Sequence, residues 1–192
     1  NVGVVGPTGS GKTTLMSLLM RFYDPKLGRI LLDGKDIQDF DKRELRSYFG
    51  MIQQDVFLFS GGLGENVSLW RGDLSDQELK TWLTRFANGK RLTEFSEKEF
   101  LQERGSNLSS GEKQMLSFAR ARFSNPCVWI LDEATAHIDS ETEKEIQAEL
   151  GRVAMQEDQK STIITIAHRL STIREADLIL VLNKGTLIEQ GT

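Results

Sequence analysis

The chain has 192 residues, 39% of them hydrophobic and 27% charged, and a formal net charge of −4. These values are typical of an ordinary globular domain, alone or with a small additional lobe. The acidic balance is not that of a nucleic-acid-binding surface, so no nucleic-acid partner is expected. The single cysteine, Cys127, excludes an internal disulfide. The longest apolar runs, near Ile163 and Leu178, have the length of strands and are too short for a membrane helix.

The first element is the apolar run Val2–Val5, which predicts a buried strand. A glycine-rich segment follows, and a helical pattern then runs from Thr14 to Tyr23 with an apolar stripe that includes Phe22. The segment from Gly6 to Thr13 reads GPTGSGKT and matches G-x-x-x-x-G-K-[ST]. The strand before it and the helix after it favour a phosphate-binding P-loop over an ordinary glycine-rich turn.

The chemistry of such a loop assigns a role to each part of the segment. Glycines allow successive backbone N–H groups to point at phosphate oxygens, and the helix N-terminus adds partial positive charge. Lys12 is expected to reach the terminal phosphates, and the Thr13 hydroxyl is expected to bind Mg²⁺. The predicted binding residues are Gly6, Pro7, Thr8, Gly9, Ser10, Gly11, Lys12, Thr13 and Thr14.

The sequence pattern changes in the middle of the chain. Arg29–Asp33 followed by a glycine predicts a strand and a turn in a small antiparallel lobe, and Tyr48–Gln53 predicts a further strand. From Phe59 to Phe100 the sequence favours an inserted helical lobe. A helix is predicted over Ser109–Phe123.

The last third alternates between apolar strands and helices. The predicted strands are Val128–Leu131, Ser161–Ala167, Asp177–Leu182 and Thr186–Glu189, and a hairpin turn at 183–185 joins the last two. The charged helix from Ser140 to Met155 carries Ile146, Leu150 and Val153 on one face. This alternation predicts an α/β fold with a mainly parallel sheet covered by helices.

Two acidic residues end the strand Val128–Leu131. Asp132 is positioned to support Mg²⁺, and Glu133, one residue further, is positioned to polarise an attacking water. Alone, an apolar strand that ends in acids is a weak signal, and the upstream P-loop strengthens it. Catalysis by a Ser-His-Asp triad is a poor competitor, because the only histidines are His137 and His168 and no nucleophile elbow is present.

The segment Leu108–Glu112, LSSGE, resembles the LSGGQ signature of ATP-binding cassette ATPases. Together with the P-loop, the acidic strand end and the later segment TIAHRLST around His168, it makes the whole chain similar to the nucleotide-binding domain of an ABC transporter. The resemblance implies a P-loop NTPase fold with a catalytic core over 1–58 and 124–192. This core would include the small antiparallel lobe, truncated at its start. A helical lobe over 59–123 would carry the signature.

The resemblance also implies roles for single residues. Gln54 matches the Q-loop glutamine that contacts Mg²⁺ and water, and Gln53 is the weaker alternative. Asp139 matches the D-loop residue that contacts a partner domain, and His168 matches the switch histidine at the γ-phosphate. The implied catalytic residues are Glu133, His168, Gln54 and Lys12, and the implied metal ligands are Thr13, Gln54 and Asp132.

In this family two domains pair head to tail, so that each ATP lies between one P-loop and the other signature. The residues Ser109, Ser110, Gly111 and Glu112 would therefore cover the nucleotide of the partner. Ser110 stands where the family has glycine, and Glu112 stands where it has glutamine, although Glu112 can still close a capping box with Ser109. An altered signature beside an intact catalytic half suggests a heterodimer with unequal sites. A homodimer that tolerates both changes is the alternative.

The implied function is hydrolysis of ATP with Mg²⁺, coupled through transmembrane domains to export at the cytoplasmic face of a membrane. The segment Gln102–Gly105 is exporter-like. The alternatives are a regulatory module that clamps nucleotide with little hydrolysis, an importer ATPase subunit, and a DNA-repair or chromosome ATPase of the same superfamily. The abrupt start at Asn1 suggests a fragment, with the adenine-stacking aromatic residue of the family lying upstream.

Overall fold

The structure is a computed structural model that describes residues 1–53, 55–69, 74–84, 92, 100–132, 138–154, 161–166, 173 and 176–192. The chain divides into two compact units. The first comprises Asn1–Met51, Pro126–Glu133 and Ser161–Thr192, and the second comprises Ile52–Asn125 and Ala134–Lys160. The domain boundaries expected from the sequence stay a prediction.

The main sheet has six strands. They are β1 (Val2–Val5), β4 (Phe49–Ile52), β5 (Val128–Asp132), β6 (Thr162–Ile166), β7 (Leu178–Asn183) and β8 (Thr186–Gly191), in the order β4-β5-β6-β1-β7-β8. β1 is parallel to both β6 and β7, and β5 is parallel to β6, whereas β8 is antiparallel to β7 at the edge. The prediction of an α/β fold with a mainly parallel sheet flanked by helices is confirmed.

One tight turn in the first unit follows the local sequence. The small sheet pairs β2 (Leu31–Leu32) with β3 (Lys35–Asp36), and the turn residues Asp33 and Gly34 have φ values of 48° and 83°. Positive φ at both positions defines a type I′ turn, which Asp-Gly favours. The observed strand Leu31–Leu32 is shorter than the predicted Arg29–Asp33, and it ends early because the turn already begins at Asp33.

The first unit carries the α-helices α1 (Lys12–Leu19) and α2 (Lys42–Ser47) in the part of the chain that the structure describes. The α1 helix begins earlier than the predicted Thr14. It ends before the predicted Tyr23, because Arg21 adopts a left-handed φ of 53°. Phe22 is 52% exposed, so its expected place on the buried stripe is wrong. Its ring instead lies 4.7 Å from the Arg46 guanidinium. The core beneath the two helices consists of Val4, Met16, Met20, Ile37, Leu45, Phe49, Val128, Ile130 and Ile166.

The second unit is built from helices. In its described residues these are α3 (Leu63–Ser68), α4 (Asp76–Leu83), α5 (Ser110–Phe123) and α6 (Ser140–Ala154). Within this unit α5 packs against both α3 and α6. The predicted buried face of α6 is confirmed, since Ile146, Leu150 and Val153 are at most 6% exposed. Among the described residues, no helix has the length and apolar content that crossing a bilayer requires.

Candidate functional site

The glycine-rich loop between β1 and α1 lies directly against the end of β7. Gly6 has a φ of 153°, and a Cβ atom added there would lie 2.1 Å from the Leu182 carbonyl oxygen and 2.7 Å from Ser10 Oγ. No side chain fits in that space. Gly6 is therefore required by a close approach between two strands that are far apart in the chain.

Backbone hydrogen bonds hold the loop in its curled form. The Ser10 N–H donates to the Pro7 carbonyl at 3.0 Å, and the Gly185 N–H donates to the Ser10 carbonyl at 2.8 Å. Gly185 belongs to the predicted hairpin turn between β7 and β8, which the structure confirms. This turn supports the loop, a role that the sequence pattern did not reveal because Ser10 and Gly185 lie in distant parts of the chain.

The ammonium group of Lys12 lies inside the loop. Its Nζ atom donates to the carbonyl oxygens of Gly6 at 2.8 Å and of Pro7 at 3.2 Å, and the residue is only 7% exposed. Both acceptors are neutral carbonyls, so they orient the ammonium without neutralising it. The loop thus holds a positive charge at its centre.

The outer surface of the loop and the start of α1 suit an anion. Pro7, Thr8 and Gly9 are exposed, as are Thr13 and Thr14 in the first turn of α1. The N-cap of α1 is Gly11, so the helix has no side-chain cap, and its first turn contains no acidic residue. The first backbone N–H groups of such a helix attract negative charge.

One hydroxyl of the loop has unused hydrogen-bonding capacity. Ser10 is 1% exposed, and its Oγ atom has no hydrogen-bond partner among the described residues. A buried hydroxyl without a partner is costly, so its presence here fits a site that a ligand completes. The central charge, the uncapped amides and this hydroxyl together match what a phosphate group requires.

Asp132 lies at the same edge of the sheet as the loop. It pairs with Ile166, and Ile166 pairs with Val4, so the three residues form one row across β5, β6 and β1. Neighbouring strands are about 4.8 Å apart, which places the Cα atoms of Asp132 and Val4 about 10 Å from each other. Because the three strands are parallel, Asp132 and the loop both lie at their carboxyl ends.

The donors in this region fit Mg²⁺ bound together with a substrate phosphate. In the described part of the chain, no group of three His, Cys, Asp or Glu side chains could hold a metal alone. Mg²⁺ commonly uses one or two carboxylates together with substrate phosphates and water, and Asp132 and the Thr13 hydroxyl supply oxygen donors of the right kind. Four residues discussed above lie outside the described residues, namely Gln54, Glu133, His137 and His168.

The LSSGE segment begins α5, and its predicted capping box is confirmed. Ser109 Oγ accepts from the Glu112 N–H at 3.3 Å, and Glu112 Oε2 accepts from the Ser109 N–H at 2.7 Å. Glu112 is 6% exposed, whereas Ser109 and Ser110 are exposed. One carboxylate oxygen of Glu112 is therefore turned back onto its own helix, and the two serines present the polar surface.

The start of α6 packs against the LSSGE segment inside the second unit. Asp139 accepts from the Thr142 N–H at 2.9 Å and from the Thr142 hydroxyl at 2.8 Å. These bonds, with the backbone bond the largest cause, lower the pKa of Asp139 below its ordinary value. A Cβ atom on Gly111 would lie 3.0 Å from Thr142 Oγ1, so a larger residue there would have to displace the Thr142 side chain by a few tenths of an ångström. Thr142, 1% exposed, was not singled out by the sequence.

The parallel sheet and the geometry of its loop place this protein among the P-loop NTPases. A family model described as "ABC transporter" matches residues 1–136. The chain belongs to the ABC transporter family.

The chain is similar to proteins described as ATP-binding/permease proteins or ATP-dependent permeases. The chain is 49% identical over 192 residues to the "Probable multidrug resistance ABC transporter ATP-binding/permease protein YheH" of Bacillus subtilis (strain 168), covering 99% of the chain and 28% of the relative. It is 42% identical to the "ATP-dependent permease MDL1, mitochondrial" of Schizosaccharomyces pombe, covering 100% of the chain and 26% of the relative. The chain thus spans less than a third of the length of these curated relatives.

A solved structure agrees with this similarity. The "Structure of a bacterial Atm1-family ABC exporter with ATP bound" has a TM-score of 0.89 and 40% sequence identity, and the match covers 100% of this chain and 33% of that one. The prediction of an ABC transporter nucleotide-binding domain of exporter type is confirmed. These matches give no support to the importer alternative.

Proposed function

We propose that this domain binds ATP with Mg²⁺ and hydrolyses it at a head-to-tail interface with a second ATPase domain, to drive export through transmembrane domains. The observation that carries the proposal is the shared sheet edge, where the loop with a buried lysine follows β1, whose Val4 lies in one row with Asp132. A triphosphate on the loop would have its terminal groups directed toward that carboxylate. Family membership and the exporter relatives support the same conclusion.

Binding is the task of the loop and the start of α1. The backbone N–H groups from Thr8 to Thr14 and the Ser10 hydroxyl would hold the phosphates, while the Lys12 ammonium supplies positive charge. Thr13 and Asp132, with Gln54, would hold the metal. When bound, Mg²⁺ offsets negative charge on the β- and γ-phosphates.

The hydrolytic step requires a base and an in-line water. The water oxygen forms a bond to the γ-phosphorus, the bond from that phosphorus to the bridging oxygen of ADP breaks, and Glu133 accepts the proton of the water. His168 is assigned to the γ-phosphate and Gln54 to the attacking water. Lys12 stabilises charge that develops on the transferred group.

The partner would complete the site with its own LSSGE-like segment. The exposure of Ser109 and Ser110 supports a contact with the nucleotide of the other domain. Ser110 and Glu112, in place of the glycine and glutamine of the family, stand beside an intact catalytic half, and this combination supports unequal sites and hence a heterodimer. Native mass spectrometry of the purified transporter tests this, since two different chains are expected and a complex of one repeated chain would contradict it.

An exposed aromatic pair in the segment that follows β4 in the chain supports contact with transmembrane domains. Phe57 and Phe59 are 51% and 41% exposed, and their rings pack edge-to-face with centroids 5.0 Å apart. An exposed aromatic pair is typical of a protein interface rather than of a free surface. The domain would then lie at the cytoplasmic face of a membrane.

The decisive experiment is Glu133→Gln in the full chain that carries this domain. The variant should bind ATP with unchanged affinity and lose nearly all turnover, because only the proton acceptor is removed. Glu141→Gln, an exposed acid at the start of α6, is the matched control and should keep full turnover. Normal turnover in Glu133→Gln would remove that residue from its role. ATP binding without turnover in the unaltered protein would favour the regulatory clamp.

A further inference from the structure

The segment 53–59 follows β4, and its described residues have no regular secondary structure. Its backbone is nevertheless held by side chains from two helices of the same unit. Gln114 and Arg120 reach it from α5, and Asn66 reaches it from α3. Side chains therefore form hydrogen bonds with backbone groups of this segment, as a neighbouring strand does in a sheet.

The two α5 side chains bind the segment on either side of residue 54. Gln114 is 3% exposed, and its Nε2 atom donates to the Gln53 carbonyl at 3.3 Å. Arg120 donates from Nη1 to the Phe57 carbonyl at 3.1 Å and from Nε to the Asn66 carbonyl at 2.9 Å. One guanidinium thus joins the segment, α3 and α5.

Asn66 closes the network from the other side. Its Oδ1 atom accepts from the Phe59 N–H at 2.8 Å, and its Nδ2 atom donates to the Phe59 carbonyl at 3.0 Å. Asn66 is 1% exposed, so its side chain holds the Phe59 backbone from a buried position. The segment 53–59 therefore has three anchored backbone positions, Gln53, Phe57 and Phe59.

Packing alone does not explain an arginine at position 120. Burial lowers the pKa of its guanidinium, and no carboxylate in the described part of the chain pairs with it. A well-packed apolar side chain would avoid this desolvation cost. The rigid fork of arginine can bind two carbonyls at a fixed separation, which an apolar side chain and a lysine cannot do.

We propose that Arg120 and Gln114 are positioning residues that fix the backbone on both sides of residue 54 to α5, the helix that begins with the LSSGE segment. The inference rests on the proposed function, in which Gln54 serves the metal and the attacking water. A movement of α5 would then be coupled through these bonds to a movement of the segment 53–59.

The first measurement is amide hydrogen exchange over residues 55–59 without nucleotide, in the full chain. Arg120→Met keeps most of the side-chain volume and removes both charge-assisted bonds, so exchange should become about tenfold faster or more. Arg122→Met is the matched control, because Arg122 lies on the same helix and its guanidinium bonds only to the Asn125 side chain among the described residues. Gln114→Leu, which removes one neutral bond, provides a milder second variant.

The second measurement is the Mg²⁺ dependence of ATP hydrolysis. Arg120→Met should raise the Mg²⁺ concentration for half-maximal turnover about tenfold, the usual effect of losing support behind a metal ligand. The ATP affinity measured without metal should change less than about twofold, because the phosphate loop is untouched. Arg120→Lys should lie between the variant and the unaltered protein.

The outcomes separate the two proposals. Equal exchange in the Arg120→Met and Arg122→Met variants would overturn the coupling, whatever the ATPase result. Faster exchange with an unchanged Mg²⁺ dependence would make Arg120 a structural support only and overturn its positioning role. If instead Glu133→Gln left turnover normal, the proposed function would fail, while the exchange data would still decide whether Arg120 fixes the segment.

Discussion

Replacing Gly6 with alanine tests the geometry of the phosphate loop most directly. The added Cβ would lie 2.1 Å from the Leu182 carbonyl oxygen. Carbon–oxygen contacts normally begin at about 3.3 Å, so the loop and β7 must separate by about 1.2 Å. The residue also has a positive φ of 153°, which alanine rarely adopts.

The magnitude follows from these two effects. Overpacking costs about 1–3 kcal/mol, and a positive φ costs a non-glycine residue about 1–2 kcal/mol. A total of about 3 kcal/mol lowers the unfolding temperature of a domain of this size by roughly 6–12 °C. A misplacement of about 1 Å in the loop should also reduce ATP turnover roughly 100-fold.

The assay is thermal unfolding together with ATP binding and hydrolysis. Gly28→Ala is the control, because Gly28 has a φ of 77° but nothing within 4 Å of its added Cβ. It should lose only about 2–4 °C and keep its ATP binding. If the two variants unfolded at the same temperature and bound ATP equally, the close approach of the loop to β7 would carry no energetic weight, and the reasoning would be refuted.

Two further predictions concern the second unit. Glu112→Gln should keep the unfolding temperature within about 2 °C, since glutamine also closes a capping box, whereas Glu112→Ala should lose about 1 kcal/mol. Glu112→Gln should also tighten ATP binding at the site it covers by roughly two- to fivefold, and weaker binding in low salt would contradict this. The pKa of Asp139 is lowered from 3.8, so its charge stabilises the fold above that value and the contribution is lost as pH falls through the lowered pKa. Asp139→Asn should therefore lower the urea midpoint at pH 7, and the difference from the unaltered protein should shrink as the pH falls below 3.8. A constant difference would argue against this linkage.

Elements with a strong local signal were predictable. The strands β1 and β5 are short apolar runs, and the capping box of α5 needs only Ser109 and Glu112, three residues apart. The end of α1 was predicted wrongly, because the apolar pattern continues to Phe22 while the backbone turns at Arg21. That turn is stabilised by a contact the pattern does not contain, since Arg21 Nη1 donates to the Phe40 carbonyl at 2.9 Å.

The candidate site likewise contains residues that the sequence could predict and residues that it could not. The P-loop residues and Asp132 could be named from their motifs, because the loop and the strand end are each encoded by contiguous residues. The support behind them could not be named. Gly185 binds the Ser10 carbonyl, and Thr142 meets Gly111, only because strands and helices distant in the chain pack side by side.

The amino-acid sequence by itself determined the local chemistry of this protein, namely a phosphate loop, an acidic strand end and a capped helix. The tertiary structure decided which of these features meet. It placed Asp132 in one row with Val4, set the Leu182 carbonyl against Gly6, and brought Arg120 onto the Phe57 carbonyl. The physical reason is that periodicity and motifs record the preferences of neighbouring residues. Strand order and helix packing arise from burial across the whole chain.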